Sequence, residues 1–546
     1  MDSHRGVLAI ILSLVILLGY QYFFIDPEKI KTEPGQEIQQ EENNPSQTNV
    51  TPAAPPEIIP AIPVQPGRTG RDIAIETPLV SAVISETGGG IKSFKLKKYN
   101  ESLKADSGFK ELITTSTPHE LPLYFAWGLG QDGSAMVPVY QADGPPQQDA
   151  AGNIKLTMAA ALPSGIDIIR TITFHPDSYL LDLDIKIRNR TEHQIQGTPA
   201  LSVISKPFST NANNRFVFNG PAIFLNNSLE EIKTKDLLED GPQTLSGKID
   251  WLAYEGTYFM CGMLPPDNMQ NSAYIKALDQ DRILSQLVGN TTVLQGGESK
   301  SYTYTSYFGP KKLAELRKSG ANLDKIINFG WFDVMAKPTL YMLNYIYGYI
   351  HNYGWAIILV TIIIKALFWP IAHKGMKSMK TMQKLQPKMA KLREKYSNDK
   401  ERLNQEMIQL YRTYKINPLG GCLPMLLQIP VFFALYRVLM QTIELRHAPF
   451  MLWITDLSAP DRLPVGFDIP HLGGIPVLTL LMGGSMFLQQ KMTPTTGDPT
   501  QAKIMMFLPV VFTFMFINFA SGLVLYWFVN NLLSIAQQYV INHSPD

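Results

Sequence analysis

Cysteine is scarce in this sequence: Cys261 and Cys422 are the only two in 546 residues. So low a count excludes a disulfide framework, and neither residue has the neighbours of a metal site, so both read as small buried hydrophobes. Histidines do not cluster either. His119, His175 and His193 each stand apart from any metal-spaced partner. The formal net charge is +1, which says little about partners, and no G-x-x-x-x-G-K-S/T run is present to cradle a nucleotide phosphate. Acid is also missing where it would matter most. No Asp or Glu falls in any long apolar segment, which excludes an intramembrane ion pair or a carboxylate relay.

What is present begins with the apolar segment 353–373, which carries one lysine near its middle. At ~1.5 Å per residue, Lys365 lies roughly 15 Å from Trp355, halfway through a hydrocarbon core about 30 Å thick. An ammonium there costs roughly 3 kcal/mol on insertion scales, so a watery cavity or a partner is the default reading. Thr361 precedes it by one turn on the same helical face. The competing reading is a lysine that snorkels toward the segment's end at His373.

In chain order, residues 1–25 place Arg5 ahead of an apolar stretch from Val7 to Ile25. Its length and the lack of a small-residue cleavage site favour an uncleaved anchor over a signal peptide, with the N-terminus cytoplasmic and the following chain exported. Residues 26–70 are rich in Pro, Gln, Glu, Asn and Thr and read as a disordered exported linker. Residues 71–315 show period-two patterns between Gly and Pro turns, most clearly Leu181-Asp182-Leu183-Asp184-Ile185-Lys186-Ile187-Arg188, and predict an all-β sandwich. A carbohydrate-processing site there is conceivable, but no paired constellation of residues supports it. In 320–352, Leu323, Ile326, Ile327, Trp331, Val334 and Met335 recur at helical spacing, and the aromatics suit headgroup depth, so an amphipathic interfacial helix is expected.

Residues 374–416 carry twelve basic residues against four acidic ones, which makes the segment cytoplasmic. Its apolar rhythm predicts two antiparallel helices, with Pro387 breaking or bending the first near its start. Lys377, Lys380, Lys384, Lys388, Lys391 and Arg393 form a basic face, either solvated near anionic lipid or used to dock RNA or a protein. Residues 417–541 hold apolar blocks for four further spans, followed by a tail at 542–546. Counting the anchor and 353–373 gives six transmembrane helices and a cytoplasmic C-terminus. The last span carries Asn530, Ser534, Gln537 and Gln538 as a polar stripe, to which Gln428 and Gln489 can add from other spans. Such a stripe suits either a cavity or polar contacts between helices.

Several runs are specific: Asn417-Pro418-Leu419-Gly420-Gly421-Cys422; Ala448-Pro449-Phe450 with Trp453-Ile454-Thr455-Asp456-Leu457-Ser458; Gln490-Lys491-Met492-Thr493-Pro494; and Ser521-Gly522-Leu523-Val524-Leu525-Tyr526-Trp527. In these the chain resembles the YidC membrane-protein insertases, relatives of the mitochondrial Oxa and thylakoid Albino proteins, in the Gram-negative form. The resemblance implies a polytopic α-helical membrane protein with a five-helix insertase core and an all-β periplasmic supersandwich domain. It implies location in the cell inner membrane, no enzymatic activity, no cofactor and no metal. Its hydrophilic groove, open to cytoplasm and lipid, corresponds here to Lys365, Thr361, Gln428, Asn530 and Ser534, with Tyr526 and Trp527 where the family has a Tyr-Tyr pair. The family more often has arginine at the position of Lys365. Implied partners are nascent membrane-protein substrates, the Sec translocon, membrane lipids and a ribosome docked on the basic hairpin and Lys491, with no small-molecule substrate. The alternative function is a secondary transporter using Lys365 as a ligand, though no inverted repeat is visible.

Overall fold

The computed structural model describes residues 70–543 apart from 105, 129–136, 209–216, 267–270, 398, 415–422, 467–471 and 493–498. The expected anchor at 1–25, the linker to residue 69, the Asn417 to Cys422 run, Thr493-Pro494 and residues 544–546 lie outside the described residues.

The N-terminal part is built from antiparallel sheets. One large sheet runs through Ser228–Glu231, Gly220–Leu225, Ile249–Glu255, Phe259–Leu264, Ser299–Pro310, Leu180–Asn189, Ile166–Phe174, Ile154–Ala161 and Gln141–Ala142. A second joins Gln243–Ser246, Asn271–Ala277, Ile283–Gly289, Pro199–Ser205 and Tyr124–Trp127, and a third joins Asp72–Glu76, Val80–Ser85, Ile91–Asn100 and Phe109–Glu111. Period-two patterning decides which faces meet. Leu181, Leu183, Ile185 and Ile187 are buried, while Asp182 and Asp184 on the other face accept from Thr305 and Thr303 of the neighbouring strand at 3.2 and 2.7 Å. The sheets stack through aromatic side chains: Phe125 lies 6.2 Å from Tyr302, and Phe94 lies 5.4 Å from Phe308.

One ionisable group in this core gives a pH test. Glu255 is almost wholly buried and bonds Lys311, yet burial outweighs that partner and pushes its carboxyl up to about 7. The folded chain therefore keeps a proton on Glu255 across the window between the usual carboxylate value and about 7, where the unfolded chain has released it. Stability falls as pH rises through that window and levels off above it. Thermal unfolding of the full chain should show this slope, and Glu255→Gln should reduce it by roughly 1–3 kcal/mol across the window. An unchanged slope in the variant would assign it to other groups.

Ten helices are found among the described residues. Two short ones, α1 (Thr234–Glu239) and α2 (Leu313–Ser319), belong to the β part. Then come α3 (Asp333–Ile350), α4 (Tyr353–Lys384), α5 (Gln386–Lys395), α6 (Lys400–Thr413), α7 (Leu423–Gln441), α8 (Val477–Met492), α9 (Pro499–Phe516) and α10 (Ser521–His543). Among the described residues α4 is the one helix whose length and composition suffice by themselves to cross a membrane, with a best stretch of mean hydropathy 2.2. Helix α4 continues past the apolar segment expected to end at His373, because helix formation does not stop where apolarity does. It breaks at Leu385, and Pro387 then occupies the first turn of α5, where its missing N–H leaves no bond unmade. Helices α5 and α6 pack through Met389, Leu410 and Tyr411, together with Met382 and Leu385.

Helix α10 packs on α8 and α4, α9 lies on α8, and α7 runs beside α3. A Cβ at Gly483 would stand 2.0 Å from the Thr513 hydroxyl, so this glycine is what lets α8 and α9 approach so closely. Helix α3 follows α7, with Phe332 stacked on Phe433 at 5.5 Å.

Candidate functional site

Helix α4 carries Lys365 into the bundle half-buried, facing α10. Its ammonium donates to Asn530 Oδ1 at 3.2 Å and Ser534 Oγ at 2.7 Å. Both acceptors are neutral, so the cation is solvated by the protein without being neutralised. Asn530 and Ser534 lie one turn apart, and Ser534 donates its own proton to the Asn530 carbonyl at 2.8 Å, which holds its hydroxyl oxygen toward the lysine. Lys365, Asn530 and Ser534, singled out in the sequence, thus form one cluster.

The other expected groove residues are placed differently. Thr361 is buried and returns its hydroxyl to the Ile357 carbonyl at 2.6 Å, one turn back on its own helix. Gln428 pairs with the Tyr526 hydroxyl. Tyr526 and Trp527 form an aromatic knot between helices: Phe432 of α7 meets Tyr526 at 6.4 Å and Trp527 at 4.6 Å, and Phe516 of α9 meets Trp527 at 4.9 Å.

Sequence reading missed Asn531, which donates to Ser485 on α8 at 3.0 Å, while Gln538 of the expected stripe donates to the Met492 carbonyl at 2.5 Å. Gln537 is fully buried with no hydrogen-bond partner among the described residues. At 100° per residue, Asn530, Ser534 and Gln537 fall on one face and Asn531 and Gln538 on another, so α10 presents one polar face to α4 and a second to α8. The basic face divides too. Lys380 turns inward to the Ile541 carbonyl at 3.1 Å, and Lys388 bonds the Tyr414 hydroxyl and lies over its ring. Lys377, Lys384, Lys391, Arg393 and Lys491 are exposed.

The opposite end of the bundle is tied together by the 442–476 loop. Asn352 donates to the Phe450 carbonyl at 2.9 Å, and the Phe450 ring lies where a Cβ on Gly354 would be. Asp461, almost wholly buried, accepts from Trp453 Nε1 at 2.6 Å and from the amides of Leu478 and Thr479 at 2.5 and 3.2 Å, capping α8. Arg462 reaches the Ile517 carbonyl at 2.8 Å and Asn518 Oδ1 at 2.9 Å. The sequence offered no periodic signal for these loop contacts.

The described residues thus form a helical bundle with a half-buried cation and one helix long and apolar enough to cross a membrane, joined to a large antiparallel β part. Comparison with known proteins narrows this. The 60Kd inner membrane protein family matches residues 345–546, and the YidC periplasmic domain matches residues 72–342. The membrane protein insertase YidC of Syntrophobacter fumaroxidans is 45% identical, covering 88% of this chain and 87% of the relative. That of Syntrophus aciditrophicus is 39% identical, covering 98% and 99% respectively. A crystal structure of an active YidC insertase with its first transmembrane domain resolved is 19% identical, with a TM-score of 0.37, covering 86% of this chain and 93% of that one. The chain belongs to the YidC family of membrane protein insertases.

Proposed function

We propose that this chain inserts and folds client proteins in the bacterial inner membrane, receiving their polar segments at the Lys365–Asn530–Ser534 cluster. One observation carries the reading: a lone ammonium held in the middle of an apolar helix by two neutral side chains of its neighbour. Such a cation attracts acidic residues of an incoming chain, and polar surroundings reaching mid-bilayer shorten the dry path a polar segment must cross. Partitioning of the client's apolar helix into lipid and the membrane potential acting on its charges supply the driving energy.

The proposed topology has six spans with both termini cytoplasmic: the 1–25 anchor, α4 and α7–α10. The β domain and the 442–476 loop are then periplasmic and the α5–α6 hairpin cytoplasmic. The proposed domain boundaries are 71–315 for the β-supersandwich, 320–352 for an interfacial helix, 374–416 for the hairpin and 417–541 for the remaining spans. Thr361 and Gln428 serve as walls of the groove. The exposed lysines of the hairpin and Lys491 suit a ribosome's phosphate backbone, and the Sec translocon is a second partner. We assign the β domain no catalytic role.

A photoreactive amino acid at position 534 should crosslink to a stalled nascent client, whereas one at Leu367, which is 73% exposed on the outer side of α4, should crosslink mainly to lipid. Client adducts from 367 and none from 534 would overturn the reading.

A further inference from the structure

Strands Ile91–Asn100 and Phe109–Glu111 form a hairpin in which Asn100 lies opposite Phe109, and the Glu101 amide donates to the Gly108 carbonyl at 3.0 Å. The base of its turn is pinned to the helical bundle. Arg446, in the loop just after α7 ends at Gln441, donates through Nη2 to the carbonyls of Asn100 at 2.7 Å and Glu101 at 3.0 Å, and its guanidinium lies over the Phe259 ring at 5.4 Å. Four residues further along that loop, Phe450 accepts from Asn352, the residue before α4 starts. Arg446 therefore sits where the same ends of two spanning helices meet. On the topology proposed above, that is the periplasmic surface of the bilayer.

The side chains at this level are unusual for a water-facing turn. Leu103 is 52% exposed and Phe109 is 46% exposed, and in the loop that holds them Leu452 is 81% exposed. Lys98 and Lys104 flank the apolar pair, are exposed, and make no ion pair among the described residues, whereas Lys92, Lys97 and Lys110 are each paired to a carboxylate. Apolar tips between free lysines match a boundary with acyl chains on one side and phosphates on the other.

We propose that the tip of the 91–111 hairpin is a membrane contact: Leu103 and Phe109 enter the headgroup layer of the periplasmic leaflet, and Lys98 and Lys104 bind lipid phosphate. The occupant is phospholipid, because Arg446 fixes the hairpin at bilayer height and exposed Leu103 and Phe109 stand beside Lys98 and Lys104, against exposed Asp106 and a Glu101 already paired with Lys110. The contact adds a lipid attachment to the chain connection to α3 and to the Arg446 bonds that already join the β domain to the bundle.

The test rests on the proposed topology and separates from it. The full chain is placed in nanodiscs, with or without phosphatidylglycerol, carrying a fluorescent amino acid at position 103, at Leu238 on α1 as a water-facing control, or at Leu367 as a lipid-facing one. A headgroup-attached nitroxide should quench position 103 roughly fivefold more than position 238, as expected for a side chain at interfacial depth. Lys98→Glu with Lys104→Glu should abolish the extra quenching seen with phosphatidylglycerol. Quenching at 367 but not at 103, with iodide reaching 103 freely, overturns the hairpin contact and leaves the topology standing. Failure at both positions removes the topology and the contact together. Protection of 103 that appears only when a periplasmic protein fraction is added overturns the lipid assignment in favour of a protein partner.

Discussion

Lys365→Ala should lower insertion of clients with acidic exported tails by roughly 10- to 100-fold, the range expected for losing one charge interaction in a poorly solvated site. Lys365→Arg should retain most activity, since the longer fork still reaches Asn530 Oδ1 and Ser534 Oγ and keeps the cation, although it exchanges a point charge for a planar donor set. Stability should move the other way. The alanine variant removes a half-buried charge without a carboxylate partner, so its Tm should be unchanged or higher. Reconstituted insertion of clients with acidic and with neutral tails, measured beside thermal unfolding, separates the two effects. Equal insertion by all three proteins would refute the role assigned to the cation, and a lower Tm for Lys365→Ala would recast it as structural.

The second large effect is expected at the other end of the bundle. Asp461→Ala should destabilise the chain by roughly 3–5 kcal/mol, because three donors lose their acceptor at once: the part-buried Trp453 indole and the buried amides of Leu478 and Thr479 at the start of α8. Asp461→Asn keeps an acceptor oxygen and should cost less than half as much. Thermal unfolding in detergent measures both, and equal losses for Ala and Asn would indicate that charge rather than hydrogen bonding matters. A loss below about 1 kcal/mol for Ala, the range of an ordinary surface substitution, would show that the loop is held by other contacts.

The parts legible in advance were those with a period or a glaring chemical contrast. The alternation from Leu181 to Arg188 became an inner strand of the large sheet because a two-residue repeat leaves only one way to hide four aliphatic side chains. Lys365 stood out because nothing acidic accompanied it, and Asn530 and Ser534 because they share a face one turn apart. Thr361 was placed near the lysine correctly by spacing, yet a threonine in a helix can bond its own backbone, and here it does. The order of the strands was illegible, since pairing between residues such as Leu180 and Tyr307 depends on distant parts of the chain. Asp461 went unnoticed for the same reason. Its partners lie eight to eighteen positions away in a stretch without periodicity, so in sequence it counted only as one loop charge.

Knitting the helices together at the 442–476 end while leaving polar side chains midway along α10 has an electrical consequence. If the Lys365 cluster is wetted from the cytoplasm as proposed, ions that follow the water inward stop short of the periplasm, because the helices are tied together at the other end by Phe450 and Asp461. A client can thus be admitted to the middle of the membrane without short-circuiting the ion gradient. The field across the dry remainder of the barrier is correspondingly steeper, and it acts on any charge that a client carries through it.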